Sequence, residues 1–487
     1  MKHIILYLYV VLGALLVSSG CMKAGPDYHR PDTGVEIPKS YQYTPTETVT
    51  PQFEDRWWRV FGDPELDQLV EEVLGNNLDI KKATARILEV RSQFVQTRAD
   101  RFPTLNLKGE GQRKSQTATV TSGSQGKWQR KETYSYNLSL PASFELDLWG
   151  RLARAEEAVR AELLQAEDNR RIVVQTVVAE TISLYLQIES LERQIQITSL
   201  SIEKYRRSLA LVERRYERGL TSILDVRQAR RALAQAEASL PSLRQDLGIS
   251  QQKLAVVLGR YPETRPPRPQ QEDYFKHLAP VPPGLPSEIL LRRPDIRAAE
   301  AQLRALNARV GVVKASRFPR ITLTGSFGYS SEDLDRLFRP QSMLWNLALG
   351  IVQPLFDAGK LKAGQRAAEA RYQQGLAVYA KTVLTAFSEV ESALLTRKEQ
   401  LERRDRVLNV LMEARTTQEV AEDRYGRGLV DYLTVMESQQ ARFQAEKNLV
   451  LVDLAILSNR VALHRALGGG WAEPRDNNHG DTDDIEK

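Results

Sequence analysis

Two hydrophobic periods alternate along the chain, and each occurs twice. A period of two runs through Ile321, Leu323, Phe327 and Tyr329, which alternate with Thr322, Thr324, Ser326 and Gly328. It continues in Met343, Trp345, Leu347, Leu349 and Ile351. Earlier in the chain, Leu105 and Leu107 alternate with Thr104, Asn106 and Lys108, and Tyr134, Tyr136, Leu138 and Leu140 alternate with Ser135, Asn137 and Ser139. Such alternation, with aromatics near the run ends, predicts four strands, each with one apolar face. The residues between paired strands are rich in Gly, Ser and Thr and read as loops. The second period is helical. Residues 149–218 contain no Pro and no Gly after Gly150, which predicts one helix of roughly 105 Å. Leu184, Ile188, Leu191, Ile195, Ile202, Tyr205, Leu209, Val212 and Tyr216 follow a 4-3 spacing, with Thr198 in the gap; that is a coiled-coil seam. Residues 358–427 repeat the long helix with a less regular seam. Each long helix stops at a glycine, Gly219-Leu220 or Gly428-Leu429, and a return helix follows over about 222–258 and 431–467. Pro241 predicts a kink in the first return helix. Shorter helices over about 64–98 and 287–315 open each unit, with Pro64 suited to a first turn and an Arg-Phe-Pro sequence ending both.

The chain is a duplication. RFPTLNLKGEG from Arg101 matches RFPRITLTGSFG from Arg317, 216 residues later, and Leu78-Asp79-Ile80 matches Pro294-Asp295-Ile296 at that offset. YNLSLPASFELDLWGRL from Tyr136 matches WNLALGIVQPLFDAGKL from Trp345 at an offset of 209, as RRYERGLTSILDV from Arg214 matches DRYGRGLVDYLTV from Asp423. The offset falls by seven because the loop after the first Arg-Phe-Pro is seven residues longer. The join, residues 261–287, holds eight prolines and reads as an extended connector. The expected layout is a signal peptide over 1–20, an extended lipidated segment over 21–63, a first repeat over 64–260, the connector, a second repeat over 288–470 and a disordered tail over 471–487.

Composition narrows the function. The 487 residues carry 68 Lys and Arg against 62 Asp and Glu, a net charge of +6. The charges are interspersed, so nucleic acid is not a partner by this criterion. A mean hydropathy of −0.41 argues against a bundle of membrane helices. The single cysteine, Cys21, excludes an internal disulfide or a thiolate metal cluster, and the five histidines show no metal-ligand spacing. No cofactor is called for. Lys2, the 14-residue apolar run Ile4–Val17 and the small residues Ser18-Ser19-Gly20 before Cys21 resemble a bacterial lipoprotein signal, with Cys21 as the acylated residue. Met22 in place of Asp favours the outer membrane by the same resemblance. One acyl chain binds membranes weakly, so firm anchoring needs a further membrane element.

Four strands cannot close a barrel in lipid, where an open edge is not tolerated. Known barrels begin at about eight strands, so the chain assembles, with eight strands as a dimer or twelve as a trimer. The helical hairpins of a trimer would enclose a bore of roughly 28 Å and those of a dimer about 15 Å, at about 10 Å per helix.

GPDY at 25–28, RWWRVFGDPELDQLV at 56–70, LRRPDIRAAEAQL at 291–303, both Arg-Phe-Pro segments and the duplicated RxGL turns resemble the TolC-like outer-membrane efflux proteins. The closest branch is the OprM/NodT-type lipoproteins that serve RND pumps. The resemblance implies an α+β fold: a homotrimer with a shared 12-stranded transmembrane β-barrel and long α-helical hairpins forming a trimeric α-barrel in the periplasm. It implies a periplasmic adaptor (membrane fusion protein) and an inner-membrane RND transporter as partners, besides outer-membrane lipid. It also implies a gate at the periplasmic tips. An acidic pair after the second glycine turn corresponds to Thr434 and Glu437, with a narrowing leucine at Leu433. A link between hairpins maps to Asp225 and Tyr425. The turns Gly219-Leu220-Thr221 and Gly428-Leu429-Val430 become adaptor-docking tips.

Two other function classes fit less well. An enzyme would need a catalytic constellation, and no GxGxxG, Walker, HExxH or GxSxG motif occurs. A periplasmic adaptor also carries a long helical hairpin, but a single one between lipoyl-like halves. Here there are two, with four amphipathic strands, and those strands equally count against a structural coiled-coil lipoprotein.

Overall fold

A computed structural model describes residues 23–32, 34–35, 37–43, 56–122, 125–263 and 286–469. The expected signal peptide, Cys21, most of the connector and the tail lie outside them. The chain divides into two compact units, each drawing on both sequence repeats. One combines the N-terminal segment through Thr33 with Arg86–Ala166 and Ala299–Tyr379. The other combines Gly34–Ala85, Glu167–Ala298 and Ala380 onward.

The first unit is built on an antiparallel sheet. Its strands are β1 (Thr104–Leu105), β2 (Lys108–Ser122), β3 (Gln125–Leu146), β4 (Arg320–Ser331) and β5 (Met343–Val352). β1 and β2 both pair with β3, β3 pairs with β4, and β4 with β5. The first predicted strand is thus interrupted at Asn106-Leu107, giving five strands on four paths. The register puts Leu146, Ile321 and Ile351 in one row, then Phe144, Leu323 and Leu349, then Ala142, Gly325 and Leu347, then Leu140, Phe327 and Trp345, and last Leu138, Tyr329 and Met343. Every one of these rows lies on the same face, because side chains alternate across a strand. The other face carries Glu145, Ser143, Ser139 and Asn137 beside Thr322, Thr324, Ser326 and Ser330. Gly328 is demanded by this packing: a β-carbon there would fall 2.2 Å from the Leu138 carbonyl oxygen.

One expectation fails here. The Gly-, Ser- and Thr-rich stretch of the first hairpin is not a loop. β2 and β3 pair without interruption from Lys108–Ser139 to Ser122–Gln125. Antiparallel backbone bonds propagate whatever the side-chain polarity, and the stretch is rich in β-branched residues. The β4–β5 connection does stay irregular, with short 3-10 turns at Leu334–Arg336 and Pro340–Ser342.

The helices are α1 (Pro64–Asn76), α2 (Leu78–Ala99), α3 (Arg151–Glu217), α4 (Ile223–Val257), α5 (Pro286–Arg292), α6 (Pro294–Ala315), α7 (Lys360–Gly426) and α8 (Tyr432–Ala466). The long pair, α3 and α7, are 67 residues each, and the return pair, α4 and α8, are 35 each. Pro241 is carried inside a continuous α4. Each expected opening helix is two helices. Asn77 breaks the first by accepting hydrogen bonds from Asp79 N and Ile80 N, which makes it the N-cap of α2. Pro294 breaks the second, since its ring disfavours helical geometry at Arg293. Arg293 is then held by Asp295, Glu389 and the Ala466 carbonyl.

The second unit has a continuous apolar core. Leu66, Leu69, Val70 and Val73 of α1 pack with Val174, Val178, Ile182 and Tyr185 of α3, and with Leu254 and Leu258. The seam is buried at Leu184, Ile188, Leu191, Thr198, Ile202, Tyr205 and Val212, and runs out at exposed Tyr216. Thr198 is tolerated in the seam because its hydroxyl donates to the Gln194 carbonyl at 2.7 Å. The segment 21–63 is not extended throughout: Trp57–Phe61 is a 3-10 helix. Its Trp57, Trp58 and Phe61 all enter the same core, which rewards a compact turn over an extended chain.

Candidate functional site

The two long helices end alike. Gly219 and Gly428 take φ of +71° and +77°, a conformation that favours glycine. Leu220 N donates to the Arg215 carbonyl at 2.9 Å, and Leu429 N to the Arg424 carbonyl at 2.9 Å. This closure satisfies the last carbonyls of each helix. It also leaves Leu220 and Leu429 protruding, 62% and 69% exposed.

Each return helix is capped by a side chain at its first residue's predecessor, reciprocally in the first hairpin only. Ser222 accepts from Asp225 N, and Asp225 accepts from Ser222 N, a capping box. The Thr221 hydroxyl also donates to Asp225. In the second hairpin Asp431 accepts from Thr434 N at 3.1 Å and from its hydroxyl at 2.7 Å. Those bonds hold the Asp431 carboxyl below its ordinary range.

The expected Asp225–Tyr425 hydrogen bond is not formed. Asp225 turns back onto its own helix start, and among the described residues it makes no hydrogen bond to the Tyr425 hydroxyl, whose polar neighbour is Thr221. Tyr425 is instead gripped by Arg215. The guanidinium stands 4.6 Å from the ring centre, and Nη1 donates to the Tyr425 carbonyl at 2.9 Å. A second link joins the Ser208 and Tyr432 hydroxyls at 3.1 Å. The Tyr425 and Tyr432 rings meet edge to face, 5.7 Å apart. Burial raises the pKa of both tyrosines. The sequence reading missed Arg215 and Ser208. The signal for the first was present: Arg215 and Arg424 occupy matching places in the duplicated turn.

Leu433 and Glu437 lie one turn apart on the exposed face of α8, while Val435, Met436 and Ser438 point into the core. Thr434, at the first place of the acidic pair, is occupied in the cap.

In the first unit the N-terminal segment is docked just after Cys21. Ala24 N donates to the Trp149 carbonyl at 2.8 Å. The Arg154 side chain, 2% exposed, pairs with Asp27 at 2.7 Å and Glu157 at 2.8 Å. It also reaches the Ala24 and Gly25 carbonyls. The guanidinium holds the Asp27 carboxyl below its usual range. Asn307 donates to the Pro26 carbonyl at 3.0 Å. Gly25, at φ +94°, lies so near α6 that a β-carbon would sit 2.7 Å from Gly311 Cα. The GPDY segment is therefore a strap shaped to one seat. The seat adjoins the sheet: Trp149 stacks on Phe318 at 4.9 Å and donates to the Pro319 carbonyl at 2.9 Å.

Among the described residues nothing covers the apolar face of that sheet. Trp345, Leu347, Leu349 and Ile351 are 73%, 68%, 62% and 63% exposed. The five rows span nine residues along β3, Leu138 to Leu146, eight steps or roughly 26 Å along the strand, which matches the apolar band of an outer-membrane barrel once strand tilt and the further Tyr136 and Tyr134 are allowed for. Tyr329, Phe327 and Phe338 form an aromatic cluster at one margin, as membrane interfaces favour.

Comparison with known proteins agrees. The model of the outer membrane efflux protein family matches residues 69–260 and 285–469. "Probable outer membrane lipoprotein SilC" of Salmonella typhimurium is 33% identical over 468 residues, 95% of this chain and 98% of that protein. "Solvent efflux pump outer membrane protein SrpC" of Pseudomonas putida is 32% identical over 467 residues, 94% and 97% of the two chains. The solved structure of the outer-membrane channel OprN superposes with a TM-score of 0.85 at 30% identity, covering 92% of this chain and 99% of that one. A two-faced sheet with an uncovered apolar side, duplicated helical hairpins and these matches lead to one conclusion: the chain belongs to the outer membrane efflux protein family, whose members are channels of the outer membrane.

Proposed function

We propose that three copies of this chain form the exit duct of a tripartite efflux pump. The sheets close into a 12-stranded barrel, and the helical hairpins form a tube through the periplasm to a periplasmic adaptor and an inner-membrane RND transporter. The observation that supports this reading is the sheet's apolar face, uncovered and flanked by two unpaired edges among the described residues, since neither water nor lipid tolerates such a sheet alone. Acylation of Cys21 adds a second membrane anchor. The duct spends no energy, and its cargo is small toxic solutes; SrpC is named for solvents.

The tip residues divide the work. Gly219-Leu220-Thr221 and Gly428-Leu429-Val430 present small apolar knobs to the adaptor. Rings of Leu433 and Glu437 narrow the periplasmic opening, the leucines by bulk and dewetting, the glutamates by drawing cations and repelling anions. The Arg215–Tyr425 contact supplies the inter-hairpin link that the resemblance assigns to Asp225 and Tyr425. The test is planar-bilayer recording of the purified protein. Glu437→Ala should lower cation selectivity. Unchanged selectivity, with a wild type that conducts, would move the constriction elsewhere.

A further inference from the structure

The β2–β3 hairpin outruns its sheet. β3 pairs with β4 only from Tyr136, opposite Ser331, to Leu146. Beyond Tyr136, β2 and β3 pair only with each other, through Arg113–Tyr134 and Thr117–Arg130 to Ser122–Gln125. Eleven residues of β3, 125–135, thus extend past β4, an arm of roughly 35 Å along the strand. The arm leaves the sheet from the margin away from Leu146 and Val352, after which α3 and α7 begin.

Its chemistry changes where it leaves. On the apolar face the order along β3 is Leu138, Tyr136 and Tyr134, then Glu132 and Arg130. Arg113, opposite Tyr134, lies 5.4 Å from that ring and 2.7 Å from Glu132. Aromatics giving way to charge within one residue pair marks the headgroup level of a membrane. Residues 112–133 hold five Lys and Arg and one Glu, a net +4 of the chain's +6. The corresponding β4–β5 connection, 332–342, holds three acids and two arginines. The cationic excess therefore belongs to the one arm. Among the described residues neither Lys114 nor Arg130 pairs with a carboxylate; Arg130 donates to the Ser115 hydroxyl at 3.0 Å. A lone two-stranded ribbon is marginally stable in water, and like charges weaken it further.

We propose that this arm binds the phosphate-bearing glycolipid headgroups of the outer leaflet, the anionic layer at the level where the arm emerges. Charge complementarity selects the occupant. The proposal rests on the outer-membrane placement given above, with β2 and β3 joined on the external side.

The test uses the full-length protein in detergent and purified diphosphoryl lipid A, with its dephosphorylated form as control, read by native mass spectrometry. Replacing Lys114, Lys127, Arg130 and Lys131 with Gln removes the excess while keeping the Arg113–Glu132 pair. Wild type should bind diphosphoryl lipid A at least about tenfold more tightly than this variant, with affinity falling steeply from about 50 to about 300 mM salt. Arg336→Gln with Arg339→Gln in the other connection should change nothing. Equal affinity of wild type and the arm variant would overturn the proposal. So would equal binding of the dephosphorylated lipid, or full competition by inorganic phosphate at the same concentration. Single-channel conductance of both proteins reports the duct reading separately: an arm variant that conducts normally but has lost lipid A isolates the arm.

Discussion

Arg215→Ala is the sharpest perturbation of the tip. In the conformation seen, Arg215 makes two contacts with the second hairpin: a face-on approach to the Tyr425 ring at 4.6 Å and a charged hydrogen bond to the Tyr425 carbonyl at 2.9 Å. A cation over an aromatic face contributes about 0.5–1 kcal/mol when the cation, like half-buried Arg215, stays in touch with water. A hydrogen bond from a charged donor contributes about 1.5–3 kcal/mol in a buried setting, and less here because the tip is half exposed. Together they amount to about 2 kcal/mol per protomer, or roughly 30-fold in the balance between linked and parted hairpins. Loss of all three links in a trimer should raise the closed-state conductance in planar bilayers and multiply brief openings. Tyr425→Phe separates this link from the one expected through Asp225. Its hydroxyl makes no hydrogen bond to Asp225 among the described residues, so removing it should leave conductance near wild type, while the ring and carbonyl still serve Arg215. Arg215→Lys should fall between, because an ammonium keeps charge but loses the planar fork. A double-mutant cycle of Arg215→Ala with Tyr425→Ala isolates the ring contribution. Openings caused by Tyr425→Phe or Asp225→Ala, with a silent Arg215→Ala, would refute the reasoning and restore the Asp225–Tyr425 link as the latch.

Four further outcomes are expected. His464 is buried, stacked on Trp57 at 4.7 Å, and its pKa is pushed down to about 3 by burial first and by Arg460 second. The unfolded chain takes up that proton below about pH 6.5, so stability is lost as pH falls from there, by roughly 3 kcal/mol at pH 4.5; His464→Leu should flatten that part of a thermal-stability profile, and an unchanged slope would exclude His464 as its source. Gly25→Ala, which drives a β-carbon toward Gly311, and Arg154→Ala, which unpairs Asp27, should both release the strap; faster tryptic cleavage at Lys23 or Arg30 in an otherwise SDS-resistant assembly is the readout. Cys21→Ser should abolish fatty-acid labelling and leave assembly largely intact, because the sheet supplies its own membrane face. Cysteines at Leu220 or Leu429 should crosslink to the adaptor, whereas labelling of these positions from outside intact cells would invert the topology.

What the sequence made legible was what repeats. The strand alternation, the long proline-free helices and the glycine turns each rest on many residues obeying one period, and the two copies check each other. Breaks set by one side chain were not legible. Asn77 interrupts a pattern that reads as one helix, and only its hydrogen bonds to Asp79 N and Ile80 N reveal a cap. The length of the β2–β3 arm was hidden because its pairing depends on backbone bonds rather than on an apolar face. Arg154 and Arg215 were hidden for a third reason: a buried guanidinium and a solvated one have the same letter, and the partners lie 127 and 210 residues away.

The duplicated turn explains the altered acidic pair. Position for position, Ser222 and Asp225 of the first hairpin correspond to Asp431 and Thr434 of the second. Both pairs do the same work: an oxygen at the cap accepts from the backbone N–H three residues on. The carboxylate has merely changed places, from the third helical residue in one hairpin to the cap in the other. Each return helix thus keeps one negative charge at its N-terminus, where the helix dipole and free N–H groups favour it. Thr434 is then what a cap partner of Asp431 should be, because a second carboxylate there would repel the first. With Thr434 and Asp431 committed to each other, Glu437 is free of the cap. Its counterpart in the first hairpin is the uncharged Gln228. Any charge selectivity at this opening therefore arises where the two copies of the unit diverged, on a scaffold whose turns, caps and helix lengths they still share.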